Sequence, residues 1–96
     1  MKDVRITSDV GDVDQPSVSV SRSGGEEVTW HSYAGKAATI KFNSAAGSPF
    51  LKPEFDVPAG GSVSSGPAVS GASRKPYKYT VVGPDGENDP VVIIDN

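Results

Sequence analysis

Few side chains in this chain are of the kinds that do chemistry, and their spacing limits what they can do. The chain has no cysteine, one histidine (His31) and one methionine (Met1). His31 follows Trp30 directly, so in an extended strand the two point to opposite faces. If Trp30 is inside, His31 faces water. As a general base, His31 would need a nucleophile such as Ser32 and an orienting carboxylate such as Asp56. No spacing links the three, so a small accessory hydrolase using His31 is the contrasting alternative and not the leading reading. The phosphate-cradling pattern GxxxxGK[ST] is absent.

Carboxylates crowd two loops. Asp9, Asp12 and Asp14 form one group, and Asp85, Glu87, Asn88 and Asp89 the other. Calcium takes six to eight oxygen ligands, which such loops can supply. Neither has EF-hand spacing, and Asp and Asn also favour the backbone geometry of solvated turns. A calcium-stabilised, immunoglobulin-like adhesion module is therefore the second alternative. Arg74, Lys75 and Lys78 interleave with Tyr77 and Tyr79, as in single-stranded nucleic-acid binders. Here the two tyrosines fall on the core phase of a strand, and the net charge is −3. We expect no nucleic-acid partner.

Strand-like alternation recurs in the elements that would carry these groups. Val4 and Ile6, Val18 and Val20, and Val28 and Trp30 each alternate with polar residues. So do Ala38, Ile40 and Phe42; Phe55 and Val57; and Tyr77, Tyr79 and Val81. A period of two sends one set inward and the other to water. The run Val91-Val92-Ile93-Ile94 is continuous and reads as a central strand covered on both faces. Turn residues separate the runs at Ser23–Gly25, Ala34–Lys36, Pro58–Gly61 and Gly83–Gly86. Helical spacing is missing, apart from one short turn expected within Asn43–Phe50. Gly60–Pro76, rich in Gly, Ser, Ala and Pro, reads as a poorly packed strand and then a surface loop.

Ninety-six residues suit one domain, 1–96, with a core of its own. No stretch approaches the ~18 apolar residues of a membrane span, so a soluble chain without membrane contact is expected. The N-terminus lacks the apolar segment of a signal peptide. Its compartment stays open, since a leader removed ahead of Met1 would leave the same chain.

Two segments, VTWHSYAGKAATIKF (Val28–Phe42) and YKYTVVGPDGENDPVVIID (Tyr77–Asp95), resemble the cupredoxins, the plastocyanin- and azurin-type β-sandwiches that hold blue copper. FDVPAGGSV (Phe55–Val63) is similar to the strand–turn–strand preceding that family's cysteine strand. The resemblance implies a His ligand at Ala38 and a Cys ligand at Val81, with a second His and often a Met in the loop Val82–Pro90. Type 1 copper needs a thiolate and two imidazoles, and none of those residues is present at these positions. The fold is implied and the electron-transfer chemistry is not.

The resemblance also implies an apolar surface near the former metal end. The corresponding loops hold Tyr33, Ala34, Ala37 and Pro84. SPFLKP (Ser48–Pro53) sets Phe50 and Leu51 between prolines, where they either plug the sandwich end or form a contact for a partner. We thus expect an all-β, two-sheet Greek-key sandwich of about seven or eight strands, cupredoxin-like and free of cofactor. It would be a non-catalytic binding or structural module. Its partner would be another protein, met through an apolar end patch (Tyr33, Phe50, Leu51, Pro84) or an edge strand.

Overall fold

The computed structural model describes residues 2–42 and 47–95, all of them strand, turn or loop. Ten short strands follow one another: β1 (Lys2–Arg5), β2 (Ser17–Ser21), β3 (Val28–His31), β4 (Ala38–Lys41), β5 (Glu54–Val57), β6 (Ser62–Ser64), β7 (Pro76–Lys78), β8 (Thr80–Val82), β9 (Glu87–Asn88) and β10 (Val91–Asp95). The count exceeds the expected one partly because the Tyr77–Val81 run is interrupted. Tyr79 N–H donates to Pro90 C=O at 3.0 Å in the register of the β7–β10 pairing, but Pro90 has no N–H to return the bond, and β7 ends before β8 begins. Of the expected helical turn, Gly47–Phe50 is loop and 43–46 lies outside the described residues.

The strands form three ladders, β1-β3-β6, β2-β10-β7 and β5-β4-β8-β9. The last two share the chain run through Tyr79. Parallel pairs join β1 to β3 and β2 to β10, and the other pairs are antiparallel. Parallel neighbours require crossover connections, so the first two ladders are stitched from segments distant in sequence.

Burial follows the period-two pattern. Val4, Val18, Val20, Val28, Trp30, Ile40, Phe42, Phe55, Val57, Tyr77, Tyr79 and Val81 are all buried. In β10, Val92 and Ile94 are buried while Val91 and Ile93 are only half-buried. The run is central in its ladder but still has an inner and an outer face. Trp30 is the hub of the core. Its ring centroid lies 5.4 Å from Phe55, 5.6 Å from Tyr79, 6.3 Å from Phe42 and 6.5 Å from Phe50. These offset and edge-on contacts suit aromatic quadrupoles. Trp30 Nε1 donates to the Tyr79 hydroxyl at 3.2 Å, which pairs the indole N–H that burial would otherwise leave unsatisfied. Burial pushes the Tyr79 phenol up to about 12. No helix among the described residues is long and apolar enough to cross a membrane.

Candidate functional site

The two positions at which the resemblance implies copper ligands lie on paired strands, diagonal to each other. β4 pairs with β8, Ile40 opposite Val81 and Thr39 opposite Val82. Val81 is fully buried and Ala38 nearly so. A methyl and an isopropyl group offer a metal no lone pair. Among the described residues, no group of three or more His, Cys, Asp or Glu side chains is placed to hold a metal ion. The residues at this end do not fit type 1 copper.

This end is covered in part, over Val81, by a segment distant in sequence. Pro84, in the loop after β8, does not cover Ala38. It is exposed and lines an open depression of about 400 Å³ together with Ala38, Val57, Pro58 and Val82. The backbone of Val81 is covered instead by the loop after β1. Thr7 N–H donates to Asp12 C=O at 2.7 Å, and Ser8 Oγ donates to the Asp12 carboxylate at 2.9 Å. This folds Ser8–Asp12 into a tight turn. Gly11, at φ +81°, rests on the Val81 carbonyl, and Gly83 on the Asp9 carbonyl. Asp85 N–H donates to Asp9 C=O at 2.9 Å, and Val10 packs over Gly86. Lys36 Nζ reaches both Asp9 carboxylate oxygens at 3.0 Å, and that carboxylate holds the Lys36 ammonium above its ordinary range.

The acidic loops have protein partners. Besides the Asp9 and Asp12 contacts, Asp14 Oδ1 accepts from Arg5 N–H at 2.8 Å, and Asp89 accepts from Thr80 Oγ1 at 2.8 Å. These bonds fasten turns to strands.

His31 faces outward from β3, opposite in phase to Trp30, and is half-buried. Its Nε2 lies 2.9 Å from Asp3 Oδ1. The parallel register sets Asp3 beside Thr29 and Arg5 beside His31, so the His–Asp contact is diagonal across two strands. The bond to His31 holds the Asp3 carboxyl below its ordinary value. Asp56, the carboxylate considered from sequence, stands within 3.5 Å of Thr39 Oγ1 instead. The Asp3–His31 pair lies on an open sheet face and lines neither of the two depressions described here. Sequence reasoning missed Asp3. Its alternation with buried Val4 marks it as outward, but only strand pairing brings it to His31.

The four residues expected to contact a partner divide. Phe50 is 3 % exposed and packs edge-on against Trp30 and Phe42, so it belongs to the core and not to a surface patch. Its neighbour Leu51 is 86 % exposed. Ser48 makes the split: its Oγ accepts from Phe50 N–H at 3.1 Å and donates to Lys52 C=O at 2.8 Å, a tight loop that turns one side chain in and the next out. Tyr33 is 37 % exposed. It begins the two-residue turn Ala34-Gly35, both at positive φ (52° and 70°), closed by Lys36 N–H to Tyr33 C=O at 2.9 Å. Tyr33 and Pro84 belong to loops at the former metal end. Leu51 lies instead where β6 meets the start of β3, on the rim of an apolar groove of about 450 Å³ whose lining includes Phe55, Val63, Pro67 and Val69.

No family model and no curated protein matches this sequence. Solved structures do match in shape. A purple cupredoxin from Nitrosopumilus maritimus superposes with a TM-score of 0.67 at 13 % identity, over 99 % of this chain and 100 % of that one. A reduced Cu(I) form of an amicyanin variant gives 0.63 at 16 % identity, over 98 % of this chain and 81 % of that one. A second reduced amicyanin variant gives 0.62 at 15 % identity with the same coverage. The chain therefore has the cupredoxin fold, with alanine and valine where the sequence resemblance implies the first His and the Cys of a copper site.

Proposed function

We propose that this chain is a non-catalytic protein-binding module on a cupredoxin scaffold. One observation carries the reading. Leu51, the most exposed large apolar side chain among the described residues, stands on the rim of the apolar groove. Exposing a leucine is unfavourable by about 1.5–3 kcal/mol relative to burying it, and a partner that covers it recovers part of that. Two features support the non-catalytic part. At the former metal end the Ser8–Asp12 loop covers the backbone of Val81, and the Asp3–His31 pair is set apart from both depressions.

The test is site-specific photo-crosslinking of the full chain in extracts of its own host. A photoreactive residue at position 51 is compared with one at Arg5, on the outer face of β1. The expected result is one saturable adduct from position 51, absent from position 5 and competed by unlabelled chain. Equal, diffuse labelling from both positions overturns the reading.

A further inference from the structure

The groove has a second component besides its apolar lining. β6 is the edge of its sheet, paired on one side with β3 only. Ser32 N–H donates to Gly61 C=O at 3.0 Å and Ser65 N–H to Val28 C=O at 2.8 Å, so the backbone groups of Gly61 and Ser65 face β3. By the alternation of an antiparallel ladder, those of Ser62 and Ser64 face the other way. β5 lies near β6 but belongs to another ladder. A row of outward N–H and C=O groups thus runs beside a groove floored by Phe55 and Val63. No lysine or proline of β6 guards this edge, although such residues commonly protect exposed strands. Backbone groups alternating with apolar pockets are the elements that strand-addition sites use to hold an extended peptide.

Charge narrows the occupant. Lys52 is the one charged residue lining the groove, in a chain of net charge −3. Its ammonium has no carboxylate partner among the described residues. The nearby carboxylates point elsewhere. Glu54 alternates with buried Phe55, and Glu27 accepts from Ser64 Oγ at 2.6 Å, on the face of β6 opposite Val63. Ser65 is already committed: its Oγ accepts from Val28 N–H and donates to Gly66 C=O.

Resting on the binding reading above, we propose that this groove takes an extended segment of a partner polypeptide as an added strand beside β6. That segment alternates apolar residues into the groove and carries a carboxylate that pairs with Lys52.

The probe is a random heptapeptide display library selected against the full chain, followed by anisotropy measurements on synthetic copies of the enriched peptides. Enriched sequences should alternate apolar residues and carry Asp, Glu or a free C-terminus. Exchanging that acid for lysine should weaken binding about threefold or more, the scale of an exposed ion pair. Lys52→Glu should reverse the preference. N-methylation of the peptide amides that face β6 should cost about tenfold for a pair of hydrogen bonds. Leu51→Asp, at an exposed position, should fold normally and lose binding. Absence of enrichment overturns the proposal, as do peptides without a charge bias or peptides indifferent to N-methylation. Sedimentation showing a dimer of the chain that Leu51→Asp dissolves would assign the groove to a second copy instead. A specific adduct from position 51 with no such peptides would leave the binding reading standing and remove strand addition. Failure of both experiments removes both.

Discussion

Gly11 lies on the peptide of Val81. A methyl group added to Gly11 would run into the Val81 carbonyl oxygen, and Gly11 also sits at φ +81°. Space and conformation both require glycine here. The left-handed conformation alone costs an L-residue about 1–2 kcal/mol, and displacing the Ser8–Asp12 loop adds to that. Gly11→Ala should therefore lower stability by at least ~2 kcal/mol in urea titration. Gly25→Ala, at φ +65° with nothing near the added methyl, should show the conformational cost alone. Equal losses for the two would mean that the loop does not press on the Val81 peptide.

The Trp30–Tyr79 pair separates packing from hydrogen bonding. Trp30→Ala should cost roughly 3–5 kcal/mol, the usual figure for a buried aromatic. Tyr79→Phe keeps the ring but leaves the indole N–H unsatisfied, so about 1–3 kcal/mol is expected. The alkaline limb should change as well. The folded phenol holds its proton up to about 12, whereas an unfolded one releases it near ~10. The wild type therefore loses stability as pH rises through that window. Denaturant midpoints between pH 9 and pH 12 should fall less steeply in Tyr79→Phe.

Phe50 and Leu51, adjacent in sequence, should respond in opposite ways. Phe50→Ala removes a ring packed against Trp30 and Phe42 and should cost about 3–5 kcal/mol. Leu51→Asp, at a position 86 % exposed, should change stability by no more than about 0.5 kcal/mol. Thermal melts of the two variants decide this. A large loss from Leu51→Asp would place that side chain in the core.

Asp3 supplies an acid-side dependence. Its carboxyl is held below the ordinary value, first by the bond to His31. A depressed folded value adds stability above the unfolded value of ~3.9, and that stability is lost as pH falls through the folded one. The difference in urea midpoint between the wild type and Asp3→Asn should be present at pH 5 and shrink below pH 4. A difference unchanged down to pH 2 would show that the carboxylate charge contributes nothing. Both groups are exposed to salt, so the effect should weaken at high ionic strength.

The inner faces of the strands were legible because a period of two in hydrophobicity is a local property. Val28, Trp30, Ile40, Phe42, Phe55, Tyr79 and Val81 declare their side of the sheet through their immediate neighbours alone, and all are buried. The loss of the copper ligands was equally local, since it needs only the residue types at Ala38 and Val81. The cover that Ser8–Asp12 places over Val81 was not legible. It is made by backbone on backbone across some seventy residues of chain, and a peptide contact carries no side-chain signature beyond a glycine, which reads equally well as a turn. Asp3 and His31 meet only through a parallel register that no short-range pattern encodes. The fates of Phe50 and Leu51 hang on the Ser48 hydroxyl turning the chain between them. The groove exists because β5 and β6 end as neighbouring edges of different sheets. Periodicity sorts residues between the inside and the outside of a sheet, and only the assembled sandwich decides which edges face each other and what they enclose.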